Sequence, residues 1–284
     1  MQARKTLFFF LVLAFLLPVA SWSADADRSS SDYWIEKLAS YYADSAPYTL
    51  VFAMEMKMSQ QGANLDITAG GDMLFASPER MRTRIDMTMA MDMLPEPMKM
   101  SMLMVHDGET IWTEMDNPMV GGKQVMKLSA AAAKEIQAKA GLGSGFSSDQ
   151  IDPAAQAKML SQMMDLTVSE IAGGSVRLEG AINEEFVAKM GQMAEAFGTD
   201  GLGRVVITLD EKTGAMRQMT MGDPEAPALS MVYEDMKLIP KAELPADAFR
   251  YTPPEGVPVQ DLTEALRQAQ EATEAQEASP APVQ

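Results

Sequence analysis

Three stretches of this chain place an apolar residue at every second position, and in all three that residue is mostly methionine. Residues 48–58 carry Leu50, Phe52, Met54, Met56 and Met58 on the even positions, against Val51, Ala53, Glu55 and Lys57 on the odd ones. Residues 82–93 carry Ile85, Met87, Met89, Met91 and Met93, against Asp86, Thr88, Ala90 and Asp92. Residues 98–106 alternate Met98, Met100, Met102 and Met104 with Lys99, Ser101, Leu103 and Val105. Successive side chains of a strand point to opposite faces, so this alternation commits the segments to β-strands with one covered face. The residues between the methionines are mostly of the kind that water accepts, so the methionine face is the covered one. Pro95-Glu96-Pro97 separates the second and third stretches. As hairpin partners they bring two methionine rows side by side.

The chain holds 27 methionines, far above ordinary usage. Cores that specify one packing favour Leu, Ile and Val and use methionine sparingly, because it is flexible. A surface made mostly of methionine suits guests of varying shape. Three readings stay open at this point: an apolar ligand surface, an ordinary core, and a copper(I) site, since thioether sulfur is a soft ligand. In the copper reading Met100, Met102 and Met104 are the ligands. His106, beside the Asp107-Gly108 hairpin signal, reads as a turn residue.

The remaining elements follow from periodicity and punctuation. Ser31 or Asp32 caps a helix over 33–44, with Trp34, Leu38 and Tyr41 on one face. Strands are predicted over 64–76, with Gly70-Gly71 as a bulge or bend, and over 109–116 and 123–128. The alanine-rich 130–140 favours helix, 141–148 is a glycine-rich loop, and Asp152-Pro153 opens a helix to 164. Strands over 165–172 and 174–180 lead to a helix over 184–197, with Phe186, Met190, Met193 and Phe197 on one stripe. Strands over 203–210, 215–221 and 228–237 follow, the first two joined by Lys212-Thr213-Gly214. Pro253-Pro254 ends the ordered core, and 261–284 is an Ala/Glu/Gln/Pro-rich acidic tail predicted to be disordered. The domain proper is 27–260, with a helical section near 129–165, and its class is α+β.

At the N-terminus, Arg4 and Lys5 precede an apolar run over 7–17 and then small residues, the pattern of an export signal cut after Ser23 or after Ala26. The run is shorter than the ~20 residues of a membrane span. The predicted location is the periplasm. A formal net charge of −17 argues against nucleic acid as a partner. With no cysteine and one histidine, disulfides, thiolate metal sites, a cysteine nucleophile and multi-histidine zinc sites have little or no material. Gly141-Leu142-Gly143-Ser144-Gly145 lacks the strand and lysine of a phosphate loop. No catalytic residue and no cofactor is predicted, and the chain is read as not an enzyme.

Four segments together resemble the LolA-like lipoprotein-carrier family. They are Gly71-Asp72-Met73-Leu74-Phe75-Ala76-Ser77-Pro78-Glu79-Arg80-Met81-Arg82, then Val105-His106-Asp107-Gly108-Glu109-Thr110-Ile111-Trp112. After them come Ile207-Thr208-Leu209-Asp210-Glu211-Lys212-Thr213-Gly214 and the closing Phe249-Arg250-Tyr251-Thr252-Pro253-Pro254-Glu255-Gly256-Val257. The resemblance implies an incomplete antiparallel barrel curled around helices, with an apolar cavity between them. It implies a monomeric carrier or sensor of lipid acyl chains or lipidated proteins, served by an envelope membrane protein that delivers or receives the cargo. Under it, Phe52, Met54, Met56, Met58, Ile85, Met87, Met89, Met91, Met100, Met102 and Met104 line the cavity. Arg82 or Arg84 stands for the family's gating arginine. The chain departs from the family in its methionine lining, its length and its acidic tail.

Overall fold

The computed structural model describes residues 27–60, 63–92, 95–118, 121–140, 153–185, 203–265 and 267. The export signal, Met93, the glycine-rich loop, all but the first two residues of the helix expected over 184–197, and the tail from 268 lie outside them.

Helix α1 (Ser31–Ser45) leads into a meander of six strands: β1 (Tyr48–Gln60), β2 (Ala63–Ser77), β3 (Arg80–Met91), β4 (Met98–His106), β5 (Thr110–Asn117) and β6 (Gly122–Ser129). Helices α2 (Ala130–Ala140) and α3 (Pro153–Met163) follow. A second meander runs through β7 (Met164–Ala172), β8 (Ser175–Ile182), β9 (Val205–Asp210), β10 (Met216–Asp223) and β11 (Ala226–Leu238), and a short β12 (Val259–Asp261) comes last. The twelve strands among the described residues form one sheet in the order β12-β6-β5-β4-β3-β2-β1-β11-β10-β9-β8-β7. Neighbours are antiparallel except β12, which lies parallel to β6. Strands β7 and β12 are the two edges, so the barrel is open, as the incomplete antiparallel form requires.

The sheet curls because both of its halves bury side chains on α1. Trp34 and Leu38 are fully buried, and Ile35, Ala39 and Tyr42 nearly so. They share one core with Tyr48 and Leu50 of β1, Phe75 of β2 and Met81 of β3 on one side, and with Val176, Leu178, Ile207 and Leu209 of β8 and β9 on the other. Strands β3 and β8 stand six places apart in the sheet order, about 29 Å along a flat sheet at ~4.8 Å per strand. A helix with its side chains is only about 10–12 Å across, so the sheet must wrap around it. Two glycines permit the close strand approach this demands. A Cβ at Gly180 would fall 1.9 Å from the Asp165 carbonyl oxygen, and one at Gly71 would fall 2.2 Å from that of Arg84. Gly70-Gly71 is therefore a close-approach point; the β2 register runs through it without a bulge.

Ser30, not Ser31 or Asp32, caps α1: its Oγ accepts from the Asp32 N–H at 3.2 Å. The Trp34 indole donates to the Arg28 carbonyl at 2.9 Å. Tyr42, rather than Tyr41, completes the buried stripe. The Lys37 ammonium donates to the Glu211 carbonyl at 2.8 Å and ties α1 to the β9–β10 turn. Burial there, followed by the nearby Arg28 charge, lowers the Lys37 pKa.

The order does not stop at Pro253-Pro254. After β11 the chain lies on the outer face of β3–β6. Phe249 sits under Arg80, whose guanidinium is 5.0 Å from the ring centroid. Tyr251 packs on Trp112 with centroids 5.4 Å apart. Outer-face Val105 and Val125 are buried beside this strap. Beyond it Lys127 pairs with Asp261 at 3.0 Å, and the Ser129 N–H donates to Thr263 Oγ1 at 2.9 Å.

Candidate functional site

The ladder registers sort the inner face into rows that cross the strands. One row reads Tyr48, Phe75, Met81, His106, Ile111 and Leu128, and none of these is more than 6% exposed. The next is Leu50, Met73, Thr83, Met104, Thr113 and Met126. Then come Phe52, Gly71, Ile85, Met102 and Met115, followed by Met54, Ala69, Met87 and Met100. Met56, Ile67, Met89 and Met98 form the last full row, with Met58, Leu65 and Met91 beyond it. Apart from buried Ala69, the methionine-bearing rows from Met54 onward are half-buried. The face thus has a closed end of aromatic and aliphatic residues and an open end of thioethers.

All eleven residues assigned from the sequence to the lining fall on this one face. Met87 stands directly opposite Met100, and Ile85 opposite Met102. Met56 and Met58 of β1 reach β3 only across Ile67 and Leu65 of β2, whose aliphatic contribution was not among the assigned residues. Arg82 and Arg84 alternate with Met81, Thr83 and Ile85 and so lie on the outer face. A guanidinium there points away from the methionine surface, and the Arg84 charge helps stabilise outer-face Glu114. His106 is not a turn residue. It is 2% exposed, and its Nδ1 donates to the Pro78 carbonyl at 2.8 Å. Met100, Met102 and Met104 occupy successive inward positions of one strand, faced by Met87, Met115 and Thr113 across the ladders.

A cavity of about 170 Å³ lies between the helices and this face, lined by Tyr42, Leu50, Met73, Ala157, Leu160, Met216, Met219, Met231 and Tyr233. It adjoins the open end through the cross-strand run Met219, Met231, Met54. Its four methionines are not among the eleven assigned from the sequence. Bulges interrupt the alternation of β10 and β11, which carry three of them: one between Met216 and Gln218, and one at Val51/Phe52, where β11 passes from Asp235 to Tyr233. Each bulge flips the parity of the alternation, so inward Met216 and Met219, and inward Tyr233 and Met236, do not read as one face. The polar groups in the cavity are neutral. Burial pushes Tyr233 up to about 12. Burial also raises Tyr42, with the phenols of Tyr233 and Tyr41 adding to it against a hydrogen bond with the Met216 backbone. Such a chamber takes apolar matter and offers no charged group to it.

A larger depression of about 560 Å³ lies between α1 and the β9–β10 turn. Both of its carboxylates are paired, Glu211 with Arg28 at 2.7 Å and Asp210 with Arg217, and Lys37 of α1 donates to the Glu211 carbonyl, so it reads as the clamp that seats α1. Among the described residues, no group of three His, Asp or Glu side chains is placed to hold a metal ion.

No family model and no curated protein matches the chain. Among solved structures it is similar to LprF from Mycobacterium bovis, with 14% identity, 76% of this chain and 98% of that one covered, and a TM-score of 0.37. It is similar to a LolA superfamily protein from Nitrosomonas europaea, with 11% identity, 78% and 98% covered, and a TM-score of 0.28. A third is an outer-membrane lipoprotein-sorting protein domain from Vibrio parahaemolyticus, with 9% identity, 76% and 97% covered, and a TM-score of 0.27.

Proposed function

We propose that this protein is an exported, non-enzymatic carrier or sensor that holds lipid acyl chains, free or attached to a protein, against the inner face of its curled sheet. One observation carries the reading: the apolar surface is continuous from the 170 Å³ cavity through Met219, Met231 and Met54 to the half-buried methionine rows. A chain laid along it gains about 0.8 kcal/mol per buried methylene. Thioethers re-pack around differently shaped chains at little cost. The two neutral tyrosines leave the cavity without a charge to repel hydrocarbon. The sequence resemblance to lipoprotein carriers supports the same cargo, and with it an envelope membrane protein as the source or recipient.

The test is native mass spectrometry of the protein gently isolated from a periplasmic extract. The expected result is an adduct of lipid-like mass that organic solvent removes. A bare mass, or one raised only by copper, overturns the proposal. In the copper case, Met100→Leu combined with Met102→Leu should abolish the metal adduct.

A further inference from the structure

Leucine or isoleucine would cover a sheet face as well as methionine does, but neither shares its sulfur chemistry. A thioether accepts one oxygen atom from a two-electron oxidant. With hydrogen peroxide the sulfur lone pair attacks a peroxide oxygen, the O–O bond breaks, and sulfoxide and water form; with hypochlorous acid the O–Cl bond breaks, and sulfoxide, chloride and a proton form. Where the thioethers stand decides what this does to the molecule. Met81, Met164 and Met221 are 1%, 4% and 9% exposed and sit in the core around α1. Met56, Met87, Met89, Met98 and Met100 are half-buried at the open end. The open-end sulfurs are therefore separated in space from the fully buried ones, with half-buried Met73, Met104, Met216 and Met219 packed against the core between them.

The open-end methionines also face one another. Met87 is opposite Met100 and Met89 is opposite Met98; directly opposed side chains have Cβ atoms about 4.5–5.5 Å apart. Oxidation of one pair places two strong acceptors on one rung. The neighbours in these rows, Ile67, Ala69 and Met56, offer no side-chain donor to them. The new oxygens must take their hydrogen bonds from water, which wets the face.

We propose that the open end of the inner face is a modification site for two-electron oxidants such as hydrogen peroxide or hypochlorous acid, and that its sulfoxide form releases the apolar ligand. The release rests on the acyl-chain reading above; the modification site does not.

The experiment treats the full mature protein with stepwise hypochlorous acid, maps sulfoxides by peptide mass spectrometry, and titrates a fluorescent fatty acid. Met56, Met89, Met98 and Met100 gain oxygen before Met81, Met164 and Met221, while cooperative thermal unfolding persists. Fatty-acid affinity falls by more than about tenfold and returns after treatment with methionine sulfoxide reductases. In a variant with Met87, Met89, Met98 and Met100 all changed to Leu, affinity is compared with its own value before oxidant, and it changes less than about twofold. Equal oxidation of buried and open-end methionines overturns the modification site. Unchanged affinity once the open-end sulfoxides have formed overturns the release. If the untreated protein does not bind the fatty acid, the acyl-chain reading fails with its release step, and the order of sulfoxide formation still decides the modification site.

Discussion

The ring of Phe52 occupies the space that a side chain at Gly71 would need. The two are register partners on β1 and β2, and a Cβ at Gly71 would stand 2.8 Å from Phe52 Cζ. The same Cβ would stand 2.2 Å from the Arg84 carbonyl oxygen on β3, so the notch is closed from both sides. It lies at the row where the inner face passes from its closed end to its open end. The glycine thus serves both the curl of the sheet and the seating of the aromatic ring that divides them.

Gly71→Ala should destabilise the fold by about 1–3 kcal/mol, since a methyl forced into a filled site displaces its neighbours. Phe52→Ala in that background should not restore stability. It removes the ring but leaves the backbone carbonyl of Arg84, which cannot turn aside. Denaturant unfolding of the two single variants and the double variant checks this. Recovery of stability in the double variant would mean that the ring alone demands the glycine.

Much of this arrangement is legible in the sequence wherever one physical rule governs a whole segment. Unbroken alternation over 48–58, 82–91 and 98–104 gives the strands, their inner face and the β3–β4 pairing. Alternation fails as a guide where a bulge inserts one residue, which is why Met216, Met219 and Tyr233 of the cavity did not stand out. It also fails for a strand that buries nothing. All three residues of β12 are exposed, and its order comes from pairing with β6 and the Lys127–Asp261 contact. His106 reads as a turn residue from its neighbours Asp107 and Gly108, yet it ends β4 and stands in the covered cross-strand row of Phe75, Met81 and Ile111. The placement of Arg82 and Arg84 follows from parity alone once Ile85 is set inward. A match to a family motif carries no such information about which way a side chain points.

The strap over the outer face includes one short charge-assisted hydrogen bond. The Tyr251 hydroxyl donates to Glu114 Oε2 at 2.6 Å, while Lys123 holds Oε1 at 2.6 Å. Partial burial alone would raise the Glu114 pKa; these two donors outweigh it and lower the pKa. Tyr251→Phe keeps the ring on Trp112 and removes the donor. It should cost about 1.5–3 kcal/mol, the range for a hydrogen bond to a charged group, read as a shift in the urea midpoint. A change below about 0.5 kcal/mol would mean that water replaces the hydroxyl without loss.

Acid stability should depend measurably on Asp210. Burial pushes this carboxyl up, but the Thr213 N–H at 2.8 Å, the Thr213 hydroxyl at 2.9 Å and the Arg217 guanidinium together hold it at about 2, below its ordinary 3.8. A carboxylate lowered in the folded state contributes its stability above pH 4, and that contribution is lost as pH falls from about 4 to about 2. Asp210→Asn should therefore be less stable than the parent by about 1 kcal/mol at pH 7, allowing for solvent screening at the turn. The gap should close near pH 2. Thermal unfolding of both proteins between pH 7 and pH 2 measures it, and a gap that stays constant would show that the turn does not need the charge.

The cavity gives a substitution in which stability and binding should move in opposite directions. Ala157 of α3 is 2% exposed and lines the 170 Å³ space beside Leu160 and Met219. Ala157→Leu adds branched hydrocarbon where the wild-type protein has a void. Filling a void stabilises a fold by about 0.5–2 kcal/mol when no strain is introduced, so the melting temperature should hold or rise. The same carbons occupy the volume offered to a ligand. Displacing two ligand methylenes at about 0.8 kcal/mol each lowers affinity by more than about tenfold. A substitution that merely damaged the packing of α3 on α1 would lower stability and binding together. Thermal unfolding and fatty-acid titration of the same preparation therefore separate the two. Unchanged affinity in a stable Ala157→Leu protein would place the ligand wholly on the open methionine rows, outside the cavity.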